Sequence, residues 1–401
     1  MAEFVLKLIA NFNPKIKLFV NGRKNVFITL KKSIRKNDKV IWVHVASLGE
    51  YEQGLPIIEQ LRNTYQQHKI LVTFFSPSGY EVKKNTSIAD ITTYLPLDTK
   101  KNVYKFIQIV QPKMVLFIKY EIWPNYLNAL QKLQTPIFLI SALFSKKQIY
   151  FKWYGNFMRN TLKAFEHIFV QDQNSIKLLK KHHFYNVSIS GDTRFDRVSK
   201  ILNRNNNLPF MDIFKGNQIC FVAGSTWPED EAIIVDYINA TSKKLKYVIA
   251  PHNIKEKHIR TLKASISKKV LLYSELKGKD IFSYDVLLID TIGILTKIYS
   301  YANIAYVGGG FKTGLHNTLE PAVFGIPIII GPNYHGFKEA EDLVLKQAVI
   351  AIDNKTNFYK VLDGFIANDK KRTETGKINS NYISKNKGAT NKIMTYIKNT
   401  L

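Results

Sequence analysis

The sequence predicts an α/β protein of two doubly wound domains, and three observations carry that prediction. Short apolar runs rich in Val, Ile and Phe alternate with longer amphipathic stretches along nearly all of the 401 residues. The rhythm breaks once, at the Asn-rich LNRNNNLPF of 202–210. A chain this long also exceeds what one ordinary hydrophobic core encloses.

The first runs are KVIWVHVAS, KILVTFFS, KMVLFIK, TPIFLISAL, HIFVQD and VSISGD. They are apolar throughout rather than alternating, which is the pattern of strands buried on both faces. Between them, EQGLPIIEQLRNTYQQ and KNVYKFIQIVQ carry the helical period. A parallel sheet covered by helices on both sides follows. After the break, QICFVAGS, KYVIAPH, KVLLYSE, YDVLLID, ANIAYVGGG, IPIIIGP and AVIAID repeat the scheme, and NKGATNKIMTYIKNTL closes as a helix. The expected division is a domain at 1–202, a linker at 203–216 and a domain at 217–401. Ligands of such sheets bind beyond the C-terminal strand ends, so two doubly wound domains are expected to face a central cleft.

With 45% apolar and 12% aromatic residues, the chain is neither disordered nor fibrous. Its 58 Lys and Arg against 31 Asp and Glu give +27, a field that attracts nucleic acid, an anionic bilayer or a phosphorylated substrate. The lysines are spread through both halves, with no basic tail, recognition helix or aromatic-studded basic strand. That distribution argues for a generally basic surface and against a nucleic-acid partner. The single cysteine, Cys220, excludes internal disulfides and Cys-cluster metal sites, and reads as a buried strand thiol in a reducing compartment. No HExxH, calcium loop, His cluster or GxSxG occurs, so no metal is expected.

No run approaches the roughly 20 apolar residues of a spanning helix. The N-terminus lacks a signal-peptide cleavage site. It has an apolar stripe (Phe4, Val5, Leu8, Ile9, Phe12) followed by Lys15, Lys17, Arg23 and Lys24. Either this stretch lies along a membrane with its basic groups on lipid phosphates, or it packs as a helix on its own domain.

Strand ends are where the chemistry should lie. WVHVASLGEYEQG (42–54) runs from a strand through Ser47, Gly49 and Glu50 into a helix. Gly49 permits a tight turn, and the helix dipole favours the ionised form of Glu50, as a general base at neutral pH requires. The plainer alternative is a helix-start carboxylate with no chemistry. KYEIWPN (119–125) ends another strand with Lys119, Glu121 and Trp123, and Pro124 suits a first helical turn.

FVAGSTWPEDE (221–231) sets Ser225 and Thr226 in a turn whose amides can hold a phosphate or carboxylate, or simply cap a helix. YVGGGFKTGLHNTLEPAVFG (306–325) is the most telling stretch. Gly308, Gly309 and Gly310 let a backbone approach a ligand closely. A helix beginning near His316 and Asn317 would turn its positive end on that ligand. Glu320, one turn along, would accept from a ribose diol. The stretch is neither GxGxxG nor a Walker loop, and it reads as a nucleotide holder.

Taken together, these stretches resemble the 3-deoxy-D-manno-octulosonic acid (Kdo) transferases of glycosyltransferase family 30. VHVASLGE, YEIWPN, SGDTRFDRV, AGSTWPEDE, the DTIG to YSYANIAYVGGG run and HNTLEPAVFGIPIIIGP fall in the family's order along nearly the whole chain. The resemblance implies a GT-B fold of two Rossmann-like domains, with a C-terminal helix returning to the first. It makes 1–202 an acceptor-binding domain with a membrane-proximal N-terminus, and 217–401 a CMP-sugar-binding domain.

The implied reaction is inverting transfer of Kdo from CMP-Kdo to the lipid A precursor (lipid IVA) in lipopolysaccharide core synthesis. It needs no cofactor or metal, and runs at the anionic cytoplasmic face of the bacterial inner membrane. By motif, Glu50 matches the base and Glu121 a second carboxylate, with Ser47, Gly49, Lys119 and Arg194 beside them. Ser225, Thr226, His252, Gly308, Gly309, Gly310, His316, Asn317 and Glu320 match the CMP-Kdo side, with Glu320 at the ribose.

The chain departs from the family in two places. APHNIKE (250–256) keeps Pro251 and His252 but has Asn253 and no arginine. Lys119 and Tyr120 stand where small polar and acidic residues often precede Glu-x-Trp-Pro. The alternative readings are another GT-B glycosyltransferase, a UDP-sugar epimerase and, from the charge, a nucleic-acid-binding protein.

Overall fold

A computed structural model describes residues 9–312, 314–398 and 400. The chain forms two compact units: Met1–Arg197 with Asn386–Leu401, and Val198–Lys385. In the first unit, seven strands make one sheet: β1 (Lys39–Val45), β2 (His68–Phe74), β3 (Ile91–Tyr94), β4 (Pro112–Ile118), β5 (Ile137–Ala142), β6 (His167–Val170) and β7 (Val187–Ile189). Their order is β3-β2-β1-β4-β5-β6-β7, and every pairing is parallel. Strand order reverses beside β1, which pairs β2 on one side and β4 on the other. The C-terminal ends of β1 and β4 therefore flank the switch point where such sheets bind ligands.

The continuous apolar runs are explained by burial on both faces of the sheet. From β1, Val40 and Trp42 enter one core with Phe106, Phe117 and Tyr126, while Ile41, Val43 and Val45 enter the other with Ile57, Ile58 and Leu61. The second core also takes Ile393, Met394 and Ile397 from the final helix, Ala389–Ile397. Asp196 clasps that helix at its start, accepting from Gly388 N at 2.5 Å, Thr390 N at 2.7 Å and Thr390 Oγ1 at 2.7 Å.

The second unit repeats the winding with β8 (Cys220–Thr226), β9 (Lys246–Pro251), β10 (Val270–Leu272), β11 (Val286–Leu288), β12 (Ile304–Val307), β13 (Ile328–Ile330) and β14 (Val349–Ala351). The order is β10-β11-β9-β8-β12-β13-β14, again all parallel. Phe221, Tyr247, Ile329, Phe358 and Leu362 lie in its core. Cys220 opens β8 fully buried, and burial pushes its thiol up to about 12, so it is inert.

One expectation needs correction. Residues 203–216 belong to the second unit, whose boundary falls at Val198, and they carry a helix at Pro209–Lys215. The Asn-rich stretch is tied down by Leu208, which donates to the Tyr301 hydroxyl at 2.7 Å and accepts from it at 3.3 Å. Of the two readings left open for the N-terminus, Arg23 fits packing on its own domain, for it is enclosed. It lies 3.6 Å over the Phe19 ring and donates to the carbonyls of Leu95, Phe19 and Phe75, and burial lowers its guanidinium to about 10. Of the apolar stripe, Phe4, Val5 and Leu8 lie outside the described residues, while Ile9 and Phe12 are exposed. No helix among the described residues is long and apolar enough to cross a membrane.

Asp196→Ala should release the cap of the final helix at a cost of about 1–2 kcal/mol, the range for losing a good N-cap acceptor. Chemical denaturation compared with wild type measures this. An unchanged midpoint would mean that the clasp contributes nothing.

Candidate functional site

In the first unit the switch point carries two carboxylates. Ser47 caps the helix Leu48–Thr64, its Oγ accepting from Glu50 N at 3.4 Å. Glu50 thus sits in the first turn, and its Oε2 reaches back to accept from Ala46 N at 2.5 Å. Burial, reinforced by the Glu121 charge, raises its carboxyl to about 7, against the opposing pull of Ala46 N, Lys119 and Ser47. The helix dipole was expected to favour the ionised form. Desolvation and a like charge outweigh it, leaving a carboxyl half ionised near neutrality.

Gly49 makes no tight turn: it has no positive φ, and an added Cβ would meet only Ser47 Oγ, at 3.9 Å. The close approach comes instead from Gly79, where a Cβ would lie 2.7 Å from Leu48 N. The sequence reading missed this residue.

Glu121 is held by a chain of donors that also went unrecognised. Its Oε2 accepts from Trp123 Nε1 at 2.9 Å and contacts His44 Nε2 at 3.0 Å. His44 Nδ1 meets Thr73 Oγ1 at 2.8 Å, and that oxygen accepts from Trp42 Nε1 at 2.7 Å. Nδ1 also lies 3.1 Å from the Thr73 carbonyl oxygen, so Thr73 holds the ring on its Nδ1 side while Nε2 faces Glu121.

Lys119, the residue after β4, has φ +66, a left-handed conformation that a non-glycine residue rarely adopts. Arg194 donates to Asp192 Oδ2 through Nε at 2.8 Å, and Asp192 Oδ1 accepts from Gln53 Nε2 at 2.9 Å. Burial pushes the Tyr120 hydroxyl up while Arg194 draws it down and Glu50 raises it, so the three share one neighbourhood.

The second unit gathers the other expected residues at the ends of β8, β9 and β12. Ser225 is a bulge residue with φ +55, where the β8–β9 register shifts. Thr226 is buried, its hydroxyl donating to Glu231 Oε1 at 2.9 Å, so it fastens the scaffold rather than facing a ligand. Gly308, Gly309 and Gly310 are buried as well, against protein rather than open space. A Cβ would lie 2.4 Å from Ser225 O, 2.2 Å from Gly314 O and 2.8 Å from Gly331 Cα respectively, and Gly309 has φ +92.

His316 and Asn317 precede a helix that spans only Leu319–Ala322, so the extended dipole expected at His316 is absent. Asn317 Nδ2 donates to Glu320 Oε1 at 3.2 Å, and Thr296 Oγ1 donates to Oε2 at 2.9 Å. His316 lies in a stack of three rings: Trp227 on His252 at 4.7 Å, and His252 on His316 at 4.7 Å. Trp227 Nε1 donates to His316 Nε2 at 3.0 Å. Indole is only a donor, so Nε2 is bare and the ring's proton sits on Nδ1. Burial, aided by His252, lowers His316 to about 4 and keeps it neutral.

Trp227 and Asp230 were not foreseen. Asp230 accepts from Trp227 N and Gly309 N at 2.9 Å each and from the Tyr306 hydroxyl at 2.6 Å, joining the two turns. No cluster of three or more potential metal ligands occurs among the described residues.

Two all-parallel Rossmann-like units in one chain, each with its polar groups at the strand ends, define a GT-B type protein. The overall fold is similar to that of UDP-GlcNAc 2-epimerase from Neisseria meningitidis, with a TM-score of 0.64 at 14% identity over 90% of this chain and 100% of that one. The family model of 3-deoxy-D-manno-octulosonic-acid transferase (kdotransferase) matches residues 22–197. The enzyme of that name from Aquifex aeolicus is 30% identical over 334 residues, covering 81% of this chain and 86% of the relative. That from Chlamydophila psittaci is 25% identical over 368 residues, covering 87% and 84%. The chain belongs to the 3-deoxy-D-manno-octulosonic acid transferase family, and is a glycosyltransferase.

Two consequences can be measured. A carboxyl raised to about 7 when folded, against an ordinary 4.5, binds its proton more tightly in the native state. Its ionisation therefore opposes folding as pH rises from about 4.5 to 7, and the penalty is absent below that window. Glu50→Gln should accordingly raise Tm at pH 8 but not at pH 4; an equal shift at both would refute the raised carboxyl. Gly309→Ala, strained by φ and by the Gly314 carbonyl, should destabilise by more than about 1 kcal/mol in chemical denaturation.

Proposed function

We propose that this chain moves Kdo from CMP-Kdo onto the lipid A precursor, lipid IVA, with inversion at the anomeric carbon. It does so at the cytoplasmic face of the bacterial inner membrane, in lipopolysaccharide core synthesis. The observation that carries this reading is Glu50, a strand-end carboxylate whose affinity for protons is matched to neutral pH.

A single displacement needs one base and no covalent enzyme intermediate. Glu50 takes the proton of the acceptor hydroxyl, whose oxygen bonds to the anomeric carbon. The bond from that carbon to the phosphate oxygen breaks, and CMP leaves with the electron pair. Glu121, fixed by Trp123 and His44, sets its carboxylate near Glu50, and that like charge strengthens Glu50 as a base. Lys119 opposes that effect, and with Arg194 offers cations to the acceptor's phosphates.

On the donor side, His316 is left with Nδ1–H to donate to an anionic oxygen, since Nε2 is taken by Trp227. Glu320, oriented by Asn317 and Thr296, suits the ribose hydroxyls. Buried Thr226 and the buried glycines enter this reading as supports of the donor-binding loops. The +27 surface suits a phosphorylated acceptor in an anionic membrane.

The test is product mass from purified protein, CMP-Kdo and lipid IVA. Glu50→Gln should lower kcat about 10²–10⁴-fold, the usual contribution of a general base, with CMP-Kdo affinity unchanged by calorimetry. Retained turnover would remove Glu50 as the base. In wild type, log kcat should fall as pH drops below about 7. Glu320→Ala should weaken CMP binding about tenfold, as expected for a lost hydrogen bond to a charged group.

A further inference from the structure

The connection between β5 and β6 presents a surface that the chemistry above does not use. From residue 122 to 165 the chain holds no Asp or Glu, while residues 145–163 alone carry Lys146, Lys147, Lys152, Arg159 and Lys163. Among them project Trp153, 91% exposed, Phe157 at 67%, Tyr154 at 60% and Ile149 at 44%. These side chains are held out by a rigid base. Tyr150 and Phe151 turn inward on Phe144, with ring centroids 6.1 and 5.7 Å apart, and Phe151 also meets His182 at 5.2 Å. The loop folds back so tightly that a Cβ on Gly155 would lie 1.7 Å from the Ile149 carbonyl. None of the four lysines has an ion-pair partner among the described residues.

Water gains nothing from a Trp, a Tyr, a Phe and an Ile exposed together, so the patch has a partner. A second copy fits badly, because a two-fold contact would set these five cations against the same five. Amphipathic aromatic rings at the level of lipid headgroups, ringed by lysines, match an anionic bilayer.

We infer that residues 145–163 dock this chain on an anionic membrane, with Trp153, Tyr154, Phe157 and Ile149 entering the headgroup region and Lys146, Lys147, Lys152 and Lys163 on lipid phosphates. The inference deepens the proposed function and rests on its reading of the acceptor as a membrane lipid.

Sedimentation of the full chain with vesicles tests it. Wild type should bind phosphatidylglycerol-containing vesicles and leave pure phosphatidylcholine vesicles largely free. Replacing Trp153, Tyr154 and Phe157 together by Ser should lower partitioning roughly tenfold or more, since binding scales with buried apolar area. Lys146→Gln, Lys147→Gln and Lys152→Gln combined should lower it on the anionic vesicles alone. Lipids brominated near the headgroup should quench wild-type fluorescence, and Trp153→Phe should abolish most of that quenching. Partitioning of the serine variant equal to wild type would overturn the proposal. So would tight binding of single-stranded RNA without vesicle binding.

The same variants are assayed for Kdo transfer to lipid IVA dispersed in detergent, where the serine variant should match wild type. If wild type forms no product while vesicle binding still follows the patch, the transferase reading falls and the membrane surface stands.

Discussion

Two carboxylates at the end of neighbouring strands cannot both shed their protons freely, and the first unit decides which of them yields. Glu121 is committed as an acceptor by an indole and an imidazole. The imidazole is itself oriented through Thr73 by a second indole. Glu50 has the backbone amides of Ala46 and Ser47, a helix start and little water, so it absorbs the cost of its neighbour's charge. A chemically ordinary pair thus divides into a carboxylate fixed by its donors and a carboxyl whose hold on its proton is raised. The interior of β1 is as much a part of the site as its end, since Trp42 and His44 are strand residues whose side chains face the buried network.

The second unit solves a different problem, holding several loops in register with almost no charge. Asp230 ties the turn after β8 to the turn after β12 through two backbone amides and a tyrosine hydroxyl. The three glycines after β12 let those turns and the Gly331 backbone touch without side chains between them. On that base the Trp227, His252 and His316 rings stack, and the indole sets the tautomer of the last. Each unit therefore uses a tryptophan N–H to orient a group that cannot orient itself.

Much of this was legible in the sequence, and the limits have physical causes. Continuous apolar runs such as KVIWVHV and KMVLFI specify strands covered on both faces, and the parallel sheets followed. Ser47, Glu50, Lys119 and Glu121 could be placed at strand ends because strand-to-turn transitions are local events. What the pattern misjudged or left open depends on contacts distant in sequence. Arg23 is enclosed by Phe75 and Leu95, far along the chain. Gly308 has its neighbour at Ser225, and Gly310 at Gly331. Helix polarity was read correctly at Glu50, but burial and Glu121 overrode it. At His316 a proline and a glycine nearby, Pro321 and Gly325, left room for only one helical turn. The hydrogen-bonding side chains of Thr73 and Trp42 carry no signal until their strands are paired.

The clasp of Asp196 on the final helix has a consequence for biosynthesis. The first unit is built from two stretches with the whole of the second unit between them, and Ile393, Met394 and Ile397 fill part of its core. A ribosome delivers these side chains only after the whole of that second unit. Until they emerge, Ile57, Ile58 and Leu61 keep an unfilled apolar face, and the N-terminal half must wait in the cell, exposed to chaperones and to aggregation, for residues translated after an entire domain.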